Sequence, residues 1–226
     1  MGIKENIALV KETIAAAAQR ANRDPHEIKL VAVTKNHTVD EIQDILNAGH
    51  RVLGENRLQE ARPKIEQLPP DIEWHFIGYL QSNKAKQVIQ QFTMIHSLDR
   101  ISLAEALHKE SEKRNKQIDC LVEVNIAGEE TKSGISPSGV VDLINAVSSH
   151  YDRVRIRGLM TMAPYLNDPE GTRPIFRSLR QLRDDIARLH LPRVSMEHLS
   201  MGMTNDYPVA VEEGATIVRI GTAIFA

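Results

Sequence analysis

Lys35 stands at the end of an apolar run, "KLVAVTK", where a charged side chain invites a chemical explanation. Side chains alternate along a strand, so Val31, Val33 and Lys35 share one face of this segment. If that face points into a protein core, the amine is held away from water, loses its proton more readily and can attack a carbonyl carbon. The alternative is that Lys35 marks the strand end, where the chain reaches solvent.

Two segments near the end of the chain have features of an anion site. The stretch "VRIGTAIFA" places Arg219 in an apolar run just before Gly221 and Thr222, and a glycine lets the backbone approach a phosphate closely. The stretch "HLSMGMTND" places Ser200 and Gly202 ahead of a helix start, which also suits an anion. A reactive lysine combined with a phosphate site describes a phosphorylated carbonyl ligand.

Apolar, β-rich runs alternate with amphipathic helical stretches along the chain, a pattern typical of repeated βα units around a parallel sheet. Eight strands with intervening helices predict an α/β fold, a single (β/α)8 TIM barrel, whose active site lies at the carboxyl ends of the strands. An extra N-terminal helix is predicted from about Ile3 to Ala21. The strand candidates are "KLVAVTK", "RVLGEN", "WHFIGYL", "TMIHSLD", "CLVEVNI", "IRGLMTM", "EHLSMGM" and "TIVRIG".

Local motifs agree with this arrangement. Thr38 followed by Glu41 is a capping box at the start of the helix after the first strand, and Gly49 ends that helix. The glycine-rich phosphate loops of dinucleotide-binding and P-loop folds do not occur in the sequence, which disfavours an open, doubly wound sheet. No interdomain linker interrupts the alternation, so residues 1–226 are predicted to form one domain.

Composition and charge narrow the classes of function. The chain has 226 residues, 42% hydrophobic and 26% charged, which is typical of a globular protein. With 28 Lys and Arg against 30 Asp and Glu, the net charge of −2 gives no electrostatic footprint for nucleic acid or an anionic membrane. The basic run "RVRIRG" predicts a strand with one solvated face rather than a nucleic-acid patch.

The single cysteine and the absence of long apolar segments set the expected location. Cys120 lies in an apolar stretch, suits a reducing compartment and is predicted to be a small core side chain. No segment has the length of a membrane span or the pattern of a signal peptide, so the cytoplasm is the expected location. The nine histidines are dispersed without a metal-binding pair, and His75 and His96, inside apolar runs, are predicted to be core histidines.

Several motifs along the chain resemble one known family. They are "AVTK", "GENRLQE", "WHFIGYLQSNK", "VNIAGEETKSG", "RGLMTMAP", "HLSMGMTND" and "VRIGTAIF". In this order they span nearly the whole chain and resemble the pyridoxal phosphate homeostasis (YggS-like) proteins, which have the fold of the alanine racemase N-terminal domain. Two departures affect loop rigidity and access: Asn36 stands where the family often has proline, and Arg57 where it often has an aromatic or small residue.

The resemblance implies a cofactor, pyridoxal 5′-phosphate (PLP), and assigns residues to it. Lys35 would form a Schiff base with the cofactor. Asn56 would lie beside the ring, and Met160 would pack nearby. Three residues would hold the phosphate: Ser200, Gly221 and Thr222.

The resemblance also places Arg219 opposite the pyridine nitrogen. A guanidinium can only donate hydrogen bonds, so it would keep that nitrogen unprotonated and make the ring a weaker electron sink. The chain ends at Ala226 after the eighth strand, without the β-rich domain and partner tyrosine of alanine racemase. The implied function is therefore non-catalytic PLP homeostasis: binding, buffering and delivery of PLP. PLP-dependent apoenzymes are the implied recipients, and a monomer is expected, with a dimer left open.

Two other functions stay open from the sequence. One is a weak PLP-dependent amino-acid racemase or lyase, with Tyr79, Tyr165 or Tyr207 as a candidate base. The other is a Schiff-base aldolase that acts on sugar phosphates, which would use Lys35 without any cofactor. A visible spectrum separates them, because only a PLP-binding protein turns yellow before substrate is added.

Overall fold

Eight parallel strands close into a barrel in the order of the sequence, from β1 to β8, and β8 pairs with β1. The computed structural model describes residues 2–129 and 132–226. The predicted (β/α)8 barrel is confirmed. Its strands are β1 (Lys29–Val33), β2 (Val52–Glu55), β3 (Glu73–Phe76), β4 (Met94–Leu98), β5 (Ile118–Glu123), β6 (Val154–Met160), β7 (Val194–Ser200) and β8 (Ile217–Ile220).

Helices cover the outside of the barrel, and the first of them precedes β1 as predicted. They are α1 (Ile3–Arg20), α2 (Val39–Asn47), α3 (Leu58–Gln67), α4 (Ala85–Gln91), α5 (Ile101–Glu112), α6 (Val140–His150), α7 (Arg173–Ala187), α8 (Tyr207–Glu212) and α9 (Thr222–Phe225). The sequence did not predict α9. Asn6 of α1 donates from its amide nitrogen to the carbonyls of Ile224 and Ala226, at 3.0 and 2.9 Å, and so ties the first helix to the last.

The alternation of side chains divides the apolar residues between two layers. The larger layer lies between strands and helices. A smaller cluster inside the barrel consists of Val31, Met94, Leu121, Met160 and Ile217. Val31 therefore points into the barrel, as the predicted face of β1 required.

The capping box and the basic strand are confirmed. Thr38 Oγ accepts from the N–H of Glu41, and the Glu41 carboxylate accepts from the N–H of Thr38. In β6, Arg155 pairs with Asp119 of β5 at 2.5 Å and Arg157 with Glu197 of β7 at 2.6 Å, so these arginines bind acidic side chains of the two neighbouring strands. Cys120 is buried in the core, and in the described ranges no helix has the length and apolar character needed to cross a membrane.

Burial lowers the pKa of four histidines, because it disfavours the charged imidazolium. They are His50, His75, His96 and His198. Below pH ~6.5 the unfolded chain binds more protons at these sites than the folded protein does, so acid destabilises the fold. Burial also raises the pKa of Glu123 to about 7, with a further contribution from the charge of Asp99. The folded protein binds this proton more tightly than the unfolded chain does, so protonation of Glu123 stabilises the fold as the pH drops.

We therefore expect the free energy of unfolding to fall as the pH drops from about 7 to about 5, by at most ~1.4 kcal/mol per pH unit for each histidine. Urea unfolding at several pH values and constant ionic strength measures this. The variant Glu123→Gln should make the fall steeper, since it removes the opposing carboxyl. Stability that stays constant or rises with acid would contradict the assignment.

Candidate functional site

Lys35 lies just beyond β1, in a turn at the carboxyl end of the barrel. The strand ends at Val33, two residues earlier than predicted, and Asn36 adopts a left-handed conformation with φ of 64°. Lys35 is exposed. Of the two alternatives for Lys35, the structure therefore has the strand end that reaches solvent and not the amine held away from water, because the turn takes the chain out of the strand before the lysine is reached.

A buried ion pair anchors this turn from below. Lys64 of α3 donates from Nζ to the carbonyl of Thr34 and to Oε1 of Glu55, both at 2.7 Å. Thr34 Oγ donates to the same Glu55 oxygen at 2.6 Å. All three residues are buried. No sequence motif marks Lys64, although its contacts with Glu55 and with the Thr34 carbonyl fix the residue before Lys35.

Arg219 lies inside the barrel and is 4% exposed. Its guanidinium donates from Nη1 to Ser200 Oγ at 2.5 Å and from Nη2 to the carbonyl of Thr161 at 2.9 Å. Burial lowers the pKa of Arg219 to about 10, while the charges of Glu123 and Asp206 oppose that shift. The arginine therefore remains a cation at neutral pH, fixed by two acceptors inside the barrel.

Ser200 lies beside Arg219 as the last residue of β7, and it is fully buried. Its Oγ contacts Arg219 on one side and Nδ1 of His96 on the other, at 2.9 Å. The expected contact between Ser200 and a phosphate stays a prediction. Met160, its neighbour in register on β6, is also fully buried and belongs to the apolar cluster inside the barrel.

Two glycine turns lie where the sequence predicted an anion site. A Cβ on Gly221 would lie 3.3 Å from the Val33 carbonyl oxygen, so the β8 end passes tightly against the β1 end. Gly202 has φ of 93°, and a Cβ there would lie 2.6 Å from that of Ala210. Thr204 Oγ accepts from the N–H of Ala223 at 3.3 Å, which joins the two turns.

The Gly221 turn presents backbone donors at the carboxyl end of the barrel. The N–H groups of Gly221 and Thr222 have no acceptor among the turn and loop hydrogen bonds that the described residues make. Thr222 is also exposed. Free N–H groups on a tight turn fit an anion such as a phosphate.

Asn56 follows β2 and leaves a polar atom unused. Its Oδ1 is buried and has no hydrogen-bond partner within residues 2–129 and 132–226. A buried amide oxygen without a donor is costly unless a ligand or water supplies one. The unpaired oxygen, the tight Gly221 turn and the buried cation of Arg219 together fit a planar, phosphorylated, hydrogen-bonding cofactor.

Gly78 holds Asn56 in place from the neighbouring strand end. A Cβ at Gly78 would lie 2.2 Å from the Asn56 carbonyl oxygen, so one of the two backbones would have to move. We expect Gly78→Ala to weaken binding of the ligand at this site by at least about tenfold, since ~1 Å shifts at a binding site commonly cost that much. Fluorescence or absorbance titration measures it. Unchanged affinity would show that Asn56 lies outside the site.

Two buried acidic residues whose charges act on Arg219 did not stand out in the sequence. Glu123, the last residue of β5, is 3% exposed, and Asp206, just before α8, is also buried. Burial raises the pKa of both carboxyls. The available signal was a glutamate at an inward position of the apolar run "CLVEVNI". In the described part of the chain, no three His, Cys, Asp or Glu side chains cluster as a metal site would.

Comparison with known proteins identifies the family of this barrel. Residues 6–226 match the family described as alanine racemase, N-terminal domain. The chain belongs to this family. A "Pyridoxal phosphate homeostasis protein" of Aquifex aeolicus (strain VF5) is 46% identical over 226 residues, which cover 100% of this chain and 98% of that protein. A protein of the same name from Escherichia coli (strain K12) is 39% identical over 228 residues, covering 99% and 95%. These similarities confirm the resemblance seen in the sequence.

Solved structures agree with the fold. The PipY protein of Synechococcus elongatus PCC7942, with PLP bound, is 34% identical and has a TM-score of 0.84. The match covers 99% of this chain and 100% of the PipY chain. An alanine racemase of Clostridium difficile 630 has a TM-score of 0.73 at 12% identity, over 99% of this chain and 56% of the racemase. This second likeness shows the shared fold alone.

Proposed function

We propose that this protein binds PLP through a Schiff base on Lys35 and serves PLP homeostasis by holding and releasing the cofactor. The observation that carries the proposal is the meeting of the β1 and β8 ends. Lys35 follows Val33 by two residues, and Val33 lies against the Gly221 turn. The names of the relatives and the PLP bound to PipY support the same ligand.

The residues of the site divide into three groups in this proposal. Lys35 supplies the amine that attaches the cofactor, and Asn56 and Met160 lie toward its ring. Arg219 faces the pyridine nitrogen. The phosphate is held at the carboxyl ends of β7 and β8 by Ser200, Gly221 and Thr222. When bound, PLP supplies an aldehyde that condenses with a primary amine and releases water.

The exposure of Lys35 bears on how the cofactor is held. An amine in an open turn is reached from solvent without opening the barrel, so PLP can enter and leave by the carboxyl end of the strands. Exchange with free amines and with apoenzymes is the behaviour that such a position favours, and it suits a protein that buffers and delivers a cofactor.

The proposed function excludes an amino-acid racemase or lyase activity. Arg219 has only donors to offer a ring nitrogen, so it keeps the ring a weak electron sink. Among the tyrosines considered as a second base, Tyr79 and Tyr165 are 55% and 79% exposed, and Tyr207 is buried. An efficient two-base reaction needs a base held at each face of the ring, and the exposure of Tyr79 and Tyr165 does not favour such a fixed position. Tyr207 packs in the apolar layer between strands and helices.

The proposal also covers the domain organisation, the oligomeric state and location, and the recipients of PLP. Residues 1–226 form one domain, the protein acts as a monomer in the cytoplasm, and PLP-dependent apoenzymes receive its PLP. A dimer is the alternative, and light scattering of the purified protein decides between them. Transfer is measured by mixing the PLP-loaded protein with an apoenzyme and following recovery of that enzyme's activity against free PLP at the same concentration.

The visible spectrum of the purified protein tests the proposed function. Added PLP should produce an absorption band of a protein-bound Schiff base and a yellow protein. The loaded protein is then incubated with a panel of amino acids, and turnover is measured as loss of substrate and as exchange of the α-hydrogen in D₂O. Neither rate should exceed that of free PLP. A protein that stays colourless would contradict PLP binding, and turnover that disappears in Lys35→Ala would establish the racemase or lyase alternative.

A further inference from the structure

A chain of hydrogen-bonded side chains crosses the inside of the barrel. Glu73 Oε1 lies 2.8 Å from Nε2 of His75, and Nδ1 of His75 lies 2.9 Å from Nε2 of His96. His96 Nδ1 lies 2.9 Å from Ser200 Oγ, which accepts from Arg219. The chain begins at the first residue of β3 and ends at the last residue of β7 and at β8.

The burial of this chain makes it unusual for a barrel interior. His75, His96 and Ser200 are fully buried, and Arg219 nearly so. Barrel interiors are mostly filled by apolar, branched side chains. Buried polar groups persist only where each finds a partner, and here the ring nitrogens of both histidines have one. The predicted core histidines are thus confirmed as buried and satisfied, and their partners lead to the candidate site.

The direction of every proton in the chain follows from its acidic end. The hydrogen bond from His75 is the largest of the effects that hold the pKa of Glu73 at about 2, so the carboxylate can only accept. His75 must therefore donate from Nε2. A neutral imidazole has one donor and one acceptor, so His75 Nδ1 accepts and His96 Nε2 donates. His96 Nδ1 then accepts, and Ser200 must donate to it.

Arg219, at the basic end of the chain, leads independently to the same positions of the protons. Arg219 has donors only, so Ser200 Oγ accepts from it and keeps a single proton for its other partner. That partner is His96 Nδ1. Burial lowers the pKa of both histidines, which keeps them neutral as the chain requires. Lys29 Nζ donates to the same Glu73 oxygen at 2.6 Å and completes the chain at the other end of the barrel.

We infer that His96 and His75 are positioning residues for the cofactor site, each holding its proton on Nε2, and that they orient Ser200 so that its Oγ accepts from Arg219. This inference rests on the proposed PLP function for its consequence, although the geometry is that of the protein alone. The Ser200 hydroxyl donates its proton to His96. Its oxygen therefore accepts from Arg219, the arginine proposed to face the pyridine nitrogen. This inference therefore revises the phosphate role proposed above for Ser200, and it leaves the backbone N–H groups of Gly221 and Thr222 as the donors to a phosphate.

Nitrogen-15 NMR of the PLP-free protein tests the proton positions directly. Protonated and unprotonated ring nitrogens have well-separated shifts, and the variants His75→Asn and His96→Asn assign the signals by their loss. We expect Nε2–H tautomers for both rings at pH 7. An Nδ1–H tautomer or a charged ring at either position would overturn the inference. This result does not depend on PLP, so it stands or falls separately from the proposed function.

The consequence for the cofactor is tested with a matched pair of variants. His96→Asn keeps an acceptor near the position of Nδ1 for the Ser200 hydroxyl, whereas His96→Leu keeps none. We expect His96→Leu to weaken PLP binding about tenfold, the effect of losing one buried hydrogen bond in a charged chain, and His96→Asn to weaken it by less than about threefold. Equal losses in both variants would overturn the positioning role.

An analogue separates positioning from general loss of structure. In the carbocyclic analogue of PLP, a C–H group replaces the pyridine nitrogen, so Arg219 gains nothing from facing it. The wild-type protein should prefer PLP to the analogue, and His96→Leu should lose most of that preference while keeping its affinity for the analogue. A preference that is unchanged in His96→Leu would overturn the inference. If His96→Leu does not fold, the NMR result on the wild-type protein decides.

Discussion

Replacement of Lys35 by alanine should abolish the covalent PLP adduct while the barrel stays folded. Lys35 is exposed in a turn, and no hydrogen bond or ion pair of the described residues uses its amine. The substitution therefore removes no packing and no buried partner, and an exposed site of this kind changes stability by less than about 0.5 kcal/mol. The loss of the only attachment amine should remove the Schiff-base absorption band completely.

The control for this variant is Lys86→Ala. Lys86 is an exposed lysine of α4 and lies outside the proposed site. The Lys86→Ala variant should keep the absorption band and the adduct formed on borohydride reduction. If Lys35→Ala retains the band at wild-type intensity, PLP is attached elsewhere and the assignment of Lys35 is wrong. A band lost equally in both variants would point to non-specific attachment.

The second large effect is expected at the buried ion pair below the Lys35 turn. Lys64→Met leaves the fully buried Glu55 carboxylate without its cation, and Oε2 of that carboxylate already lacks a partner among the described residues. Breaking a buried pair on one side costs ~3–5 kcal/mol, because the remaining charge stays uncompensated. The free energy of unfolding in urea should fall by about that amount. The turn after Thr34 should loosen with it, so PLP binding should weaken as well.

A double variant separates the lost charge from the lost side chain. Glu55→Gln combined with Lys64→Met removes both charges and keeps an amide for the Thr34 hydroxyl. It should recover most of the stability that Lys64→Met loses, since neutral replacements of buried pairs are often well tolerated. A loss below about 1 kcal/mol in Lys64→Met, or no recovery in the double variant, would mean that the pair does not hold the turn.

Much of the fold was predictable because it depends on local patterns. Strands and helices alternate with their own periods of apolar residues, and the Thr38–Glu41 capping box fixes the start of α2 at residue level. The buried state of His75 and His96 followed from their apolar neighbours. These features need no knowledge of which strand meets which, so the sequence alone contains them.

The details of the site depend on contacts between segments that are distant in the sequence. Local sequence patterns do not predict such contacts. β1 ends at Val33 because Asn36 adopts a left-handed turn, which a repeating apolar pattern does not predict. The Glu55–Lys64 pair requires the angle between β2 and α3, and the chain from Glu73 to Arg219 requires the register of four strands. The contacts of Ser200 with His96 and Arg219 have the same origin.

The most direct test of PLP attachment is a peptide map of the wild-type protein after PLP loading and borohydride reduction. Trypsin cleaves after unmodified lysines, so a modified Lys35 should yield one phosphopyridoxyl peptide spanning residues 30–51, with Lys35 uncleaved inside it. Nearly all of the label is expected on that peptide. Label on another lysine, or reduced protein without label, would contradict the proposal that Lys35 holds the cofactor.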